Sequence, residues 1–121
     1  MEESILLTIK KLIGPSIDYP AFNTDLIVHI NSALMVLNQL GLGPVEGFFI
    51  TGENETWSDF IGESKNLEAI KTYIYLKVRM AFDPPTTGAL TDAYKEMIKE
   101  YEWRLNVQVD PSLIPVQEVF A

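Results

Sequence analysis

Apolar residues return every three or four positions along four stretches of this chain, the spacing of one helix face. Ile5, Leu6, Ile9, Leu12 and Ile13 mark the first helix, over about residues 3–13, and Gly14-Pro15 closes it. A turn-rich link, SIDYPAFN, leads to a second helix over about 24–40, where Asn23 or Thr24 can cap the start. That helix carries Leu26, Ile27, Ile30, Ala33, Leu34, Leu37 and Leu40 and ends at Gly41, a residue suited to a left-handed terminator. The third runs over about 66–82. The fourth, over about 88–106, sets Leu90, Ala93, Tyr94, Met97, Ile98, Tyr101 and Leu105 on one face. The pattern predicts an all-α, four-helix bundle-like domain over residues 1–106.

Two regions depart from helical spacing. Residues 41–65 open with the turn cluster GLGPVEG, continue through FFIT, which suits a short strand or half a hairpin, and reach TWSDFIG. There Thr56 stands as an N-cap with Asp59 three residues on, close to capping-box spacing, so one helical turn is expected. A connection this long inside a small helical domain is uncommon and more often functional than decorative. After Asn106, VQVDPSLIPVQEVFA alternates apolar and polar residues around two prolines. It reads as an extended tail, 107–121, with Val109, Leu113, Ile114, Val116 and Phe120 as apolar anchors for a partner.

The third helix is apolar on two sides. Leu67, Ile70, Ile74, Val78 and Ala81 form one stripe, and Ala69, Tyr73, Leu76 and Met80 form another more than a right angle away. The second helix has Val28 and Met35 opposite its main face, with Asn31 and Asn38 between. Four helices leave a surplus of apolar surface, and the pattern predicts self-association. Ala69, Tyr73, Leu76 and Met80 are therefore expected at a subunit interface or a closely packed interhelix face. Trp103, off the main face of the fourth helix, either lies on the domain's own surface or joins that interface.

Charge sharpens the picture more than size does. The net charge is −8 over 121 residues, and it is unevenly placed. Residues 42–64 hold Glu46, Glu53, Glu55, Asp59 and Glu63 and no base, whereas 65–106 hold seven bases against six acids. Such a loop is either merely solvated or an anionic surface that repels nucleic-acid phosphates. No cysteine is present, which removes disulfides and thiolate metal sites and fits a reducing compartment. Lys10 and Lys11 interrupt the N-terminal apolar run, so neither a signal peptide nor a membrane span is expected.

Candidate chemistry is sparse. His29 has no identifiable acid to orient it and no nucleophile beside it, so no catalytic group and no enzyme activity are expected. Glu53, Glu55 and Asp59 lack the alternating ligands and central glycine of a calcium loop, and Gly41, Gly43 and Gly47 are not followed by the Gly-Lys-Ser/Thr of a phosphate loop. Neither metal nor cofactor is expected. The basic residues of the third and fourth helices alternate with acids, the pattern of a solvated face.

The runs NLEAIKTYIYLKVRMAFDPPTTGAL and KEMIKEYEWRLNV, preceded in order by TDLIVHINSALMVLNQLGLGP and TWSDFIG, resemble the small head–tail connector (adaptor) proteins of long-tailed bacteriophages and prophages. The resemblance covers roughly residues 1–107. It implies an all-α structural protein of the virion, assembled in the host cytoplasm into a ring of about twelve copies. Such a ring joins the capsid portal to a tail-side connector protein, and DNA slides through it without specific binding. It further implies that the long loop, with Glu46, Glu53 and Glu55, faces the channel. The alternative from a different class is a small helical phage or bacterial protein that inhibits or regulates a host factor through the same apolar faces. Asp83-Pro84-Pro85 ends the third helix in either case, since each proline fixes φ and removes an N–H donor, and it orients the fourth.

Overall fold

The computed structural model describes residues 3–14, 22–62, 64–82 and 84–109. The described residues form five helices: α1 (Ile5–Ile13), α2 (Asn23–Gln39), α3 (Trp57–Ile61), α4 (Leu67–Phe82) and α5 (Gly88–Val109). The expected all-α architecture holds, with α3 as the single turn foreseen at TWSDFIG.

The local starts and stops follow their sequence signals with two exceptions. Ser4 caps α1 by accepting from the Leu7 N–H, and Gly14, at φ 121°, ends it. Thr56 and Asp59 form a complete capping box on α3. Thr87 Oγ1 accepts from the Leu90 N–H at the start of α5. The first exception is α2, whose start has no side-chain cap. Asn23 is instead its first helical residue, and its Oδ1 accepts from Lys10 Nζ at 3.0 Å, tying α2 to α1. The second is α5, which runs three residues beyond Asn106. Val109, expected in the tail, is helical.

FFIT forms no strand. The one β feature among the described residues is an antiparallel bridge between Ser4 and Thr56. Those two residues are the N-caps of α1 and α3. The Ile5 N–H donates to the Glu55 carbonyl at 3.1 Å, and the Trp57 N–H donates to the Glu3 carbonyl at 3.3 Å. Each helix thus satisfies an orphan donor of the other.

The core lies where α2 meets α4, the most extensive helix pair. Leu26, Ile30, Ala33, Leu34 and Leu37 face Ile70, Ile74 and Val78, closed from the sides by Ile5, Leu6 and Ile9 and by Trp57 and Phe60. No polar or charged side chain is buried among the described residues. Trp57 fixes the short α3 against α1: its Nε1 donates to Thr8 Oγ1 at 3.0 Å, and Lys71 Nζ sits 5.8 Å from its ring centre.

Candidate interaction surfaces

The second stripe of α4 is covered by the chain's own α5. The helices run antiparallel, as Arg79 pairs with Tyr94 and Tyr73 with Glu102. Tyr73 is fully buried, and its hydroxyl donates to Glu102 Oε2 at 2.7 Å. Burial first, and then that hydrogen bond to a carboxylate, hold the phenol well above its ordinary pKa. Leu76 is also buried, while Ala69 and Met80 are half-buried and line clefts along the α4–α5 seam. Packing within one chain therefore accounts for the two-sided pattern of α4. Within the chain Tyr73 and Leu76 lie at a closely packed interhelix face, one of the two placements expected from the pattern.

The surplus itself is real and lies elsewhere. On α2, Val28 and Met35, two turns apart, are each 56% exposed. On α5, Leu90 and Met97 are 44% and 41% exposed, and only Leu105 and Val107 are buried. Trp103 stands 48% exposed and lines a shallow cleft with Ala69, Asn66 and Arg104. The apolar face read along the fourth helix divides in two. Tyr94, Ile98, Tyr101 and Leu105 turn partly or wholly inward, whereas Leu90, Ala93 and Met97 do not.

The long connection is stitched down along α2. Asn38 Nδ2 donates to the Leu42 carbonyl at 3.2 Å and the Pro44 carbonyl at 2.6 Å. Asn31 holds Ile50 from both sides, its Oδ1 accepting from the Ile50 N–H at 2.7 Å and its Nδ2 donating to the Ile50 carbonyl at 3.0 Å. Leu42 and Ile50 are buried, and Phe48 packs on Phe60 with ring centres 5.3 Å apart. Gly43, at φ 82°, lies so close to the Phe60 ring that a Cβ there would collide with it. Asn31 and Asn38 lie between the apolar stripes of α2, where spacing alone assigns them no role. The signal was their seven-residue spacing, which puts both carboxamides on one line of the helix beside a loop rich in unpaired backbone groups.

The loop's carboxylates have different fates. Glu46 and Glu53 are exposed. Glu55 is half-buried, and its carboxylate accepts from Thr51 Oγ1 at 2.8 Å and the Gly52 N–H at 3.3 Å. Desolvation pulls its pKa upward, but hydrogen bonds from Thr51, Gly52 and its own N–H overcome this and leave it below the ordinary value. Glu55 thus fastens a turn, and Asp59 is taken by its capping box. Glu63 and the tail anchors Leu113, Ile114, Val116 and Phe120 lie outside the described residues. Val109 ends α5 against Gly41, where a Cβ would stand 2.6 Å from Val109 Cγ1.

His29 lies beside Ser32, Met80 and three lysines in an open cleft, with no carboxylate among the described residues lining it. Among the described residues no group of three or more His, Cys, Asp or Glu gathers as metal ligands, and no helix is long and apolar enough to cross a membrane. Comparison with protein families gives one finding. The family described as phage connector protein matches residues 5–112, nearly the whole chain and five residues beyond the resemblance read from the sequence. No curated protein and no solved structure gives a match.

Proposed function

The chain belongs to the phage connector protein family, and on that premise we propose that it is a non-enzymatic structural protein joining the portal of a phage capsid to the tail-side connector protein. In this reading about twelve copies close into a ring on the portal, and DNA passes through the ring without specific contacts. The family match over residues 5–112 carries the reading. Two features support it. Exposed apolar side chains on α2 and α5 offer lateral contact surface, as a subunit between two neighbours requires. The loop's exposed acids, Glu53 foremost, would line the channel with charge that repels phosphate. The tail, with Leu113, Ile114, Val116 and Phe120, is the segment we assign to portal docking, and Ala69, Met80 and Trp103 are assigned to the neighbour-facing side of the α4–α5 seam.

Co-expression with the portal protein encoded beside it tests the role. The expected outcome is a portal–connector particle that purifies intact and shows added ring density by electron microscopy. Capture of a host enzyme in place of the portal would overturn the reading and favour a host-factor inhibitor.

A further inference from the structure

We propose that a knob formed by Val45, Glu46 and Phe49 docks into the α4–α5 cleft of a second copy of this chain. The proposal rests on the ring reading and names the contact that would close it.

The knob follows from how the loop is fastened. Asn31 and Asn38 are seven residues apart, about 10 Å along α2 at its rise per residue. The segment from 42 to 50 spans that distance with slack, since an extended chain of that length would reach more than twice as far, roughly 26 Å. The slack is thrown outward as a tight turn closed by the Gly47 N–H on the Pro44 carbonyl at 3.0 Å, with Gly43 and Gly47 both at positive φ. Val45 is 99% exposed and Phe49 65%, more than any other large apolar side chain described. Glu46, beside Val45, is exposed as well. An apolar tip with one carboxylate is held out on a base fixed at both ends, so little ordering entropy is lost on docking.

The cleft has the complementary chemistry. It is an open hollow of about 500 Å³ with Met80 and Ile98 as its apolar part and Lys77, Lys95 and Lys99 around it. No acid among the described residues lines it. Lys99 has only a loose, exposed partner in Glu96 at 3.9 Å, and neither Lys77 nor Lys95 has an ion-pair partner among the described residues. In its own chain the knob stands clear of the cleft: none of Val45, Glu46 and Phe49 lines it, and all three are exposed. A contact between two different patches on identical chains, made head to tail, is heterologous, and it generates a ring where the rotation between copies closes. Docking removes Glu46 from the channel-facing acids and leaves Glu53 in that role.

The absence of native cysteine makes the test clean. Val45→Cys and Lys95→Cys chains are purified separately, mixed, and oxidised, both alone and on the portal protein. The expected product is a dimer linking one chain of each kind, in about tenfold excess over dimers from either variant by itself. In parallel, Glu46→Lys and Lys95→Glu should each weaken self-association about tenfold, and mixing the two should restore it in part through the reversed pair. Only Val45→Cys homodimers, no mixed dimer on or off the portal, or self-association indifferent to both charge changes would overturn the proposal. Portal capture without the mixed dimer retains the connector role and removes the knob. A mixed dimer without portal capture does the reverse.

Discussion

α4 and α5 are neighbours of similar regularity, yet one is sealed and the other half bare. α4 is covered on one side by α2 and α1 and on the other by α5, so Ile70, Tyr73, Ile74, Leu76 and Val78 are all buried. α5 packs on α4 along one row and leaves Leu90, Ala93 and Met97 to solvent. The difference follows from position in the stack. A helix in the middle must be apolar on two sides, whereas an outer helix needs one stripe to hold on. An outer helix with more than one stripe's width of apolar surface has the excess for something outside the chain.

Truncating one side chain on each helix separates the two directly. Ile74→Ala should cost about 2–5 kcal/mol of stability, because it opens a cavity in a fully packed layer. Leu90→Ala should stay within about 0.5 kcal/mol. Urea unfolding measures both. A similar cost at the two sites would mean that the first part of α5 packs against the chain more closely than the structure has it.

The stripes themselves were legible from spacing alone, as were α1 to α5 to within a few residues and the capping box at Thr56. Which stripe stays uncovered was not. Periodicity counts the apolar surface on each helix but does not say which helix is central, and that depends on how the bundle stacks. For this reason spacing left Tyr73 and Leu76 open between a subunit interface and a closely packed interhelix face. The loop failed differently. FFIT has the residue types of a strand, but the backbone N–H and C=O of its Ile50 are taken by the Asn31 side chain rather than by a partner strand, and no propensity scale anticipates that. The acids of 42–64 were visible as a cluster, yet only the fold separates Glu46 and Glu53 from Glu55 and Asp59, whose carboxylates are used locally.

A second contrast lies within α2, between the clamp at Asn31 and the open face at Met35. Asn31→Ala removes both hydrogen bonds to Ile50, whose side chain is buried, and should cost about 1–3 kcal/mol. Faster hydrogen exchange at the Ile50 amide would report the loosened loop directly. Met35→Ala, one turn on, should leave folding unchanged. Unchanged exchange in Asn31→Ala would show that Leu42 and Phe48 packing alone holds the loop.

The α4–α5 seam gives a smaller effect. Tyr73→Phe keeps the buried ring and removes only the bond to Glu102, which is partly exposed and can turn to water. A loss of about 1 kcal/mol is expected, and no more than that for Trp103→Ala, whose ring is half covered. A larger loss at Trp103 would mean that its covered half packs more tightly than the cleft with Ala69 and Asn66 implies.

The smallest effect comes from the carboxylates at the joined N-termini of α1 and α3. Glu3 is held below its ordinary pKa first by the hydrogen bond from Lys71 Nζ at 2.8 Å and then by that ammonium's charge. A carboxylate whose folded pKa is depressed stabilises the protein above its unfolded value, and this is lost as pH falls through the folded value. Lys71, raised first by the same bond, contributes below the ordinary lysine value and loses its share only in strong alkali. The pair is therefore intact at neutral pH and is lost on the acid side through Glu3. Because Glu3 is largely exposed, Glu3→Gln should cost only a few tenths of a kcal/mol, ~0.3, at neutral pH. That deficit should vanish below the ordinary glutamate range. Glu55→Gln, at a half-buried turn, should show the same pH course with a larger neutral-pH deficit. Thermal melts of both variants across acid pH measure this. A deficit that persisted in acid would mean that the substitutions act through packing rather than through charge.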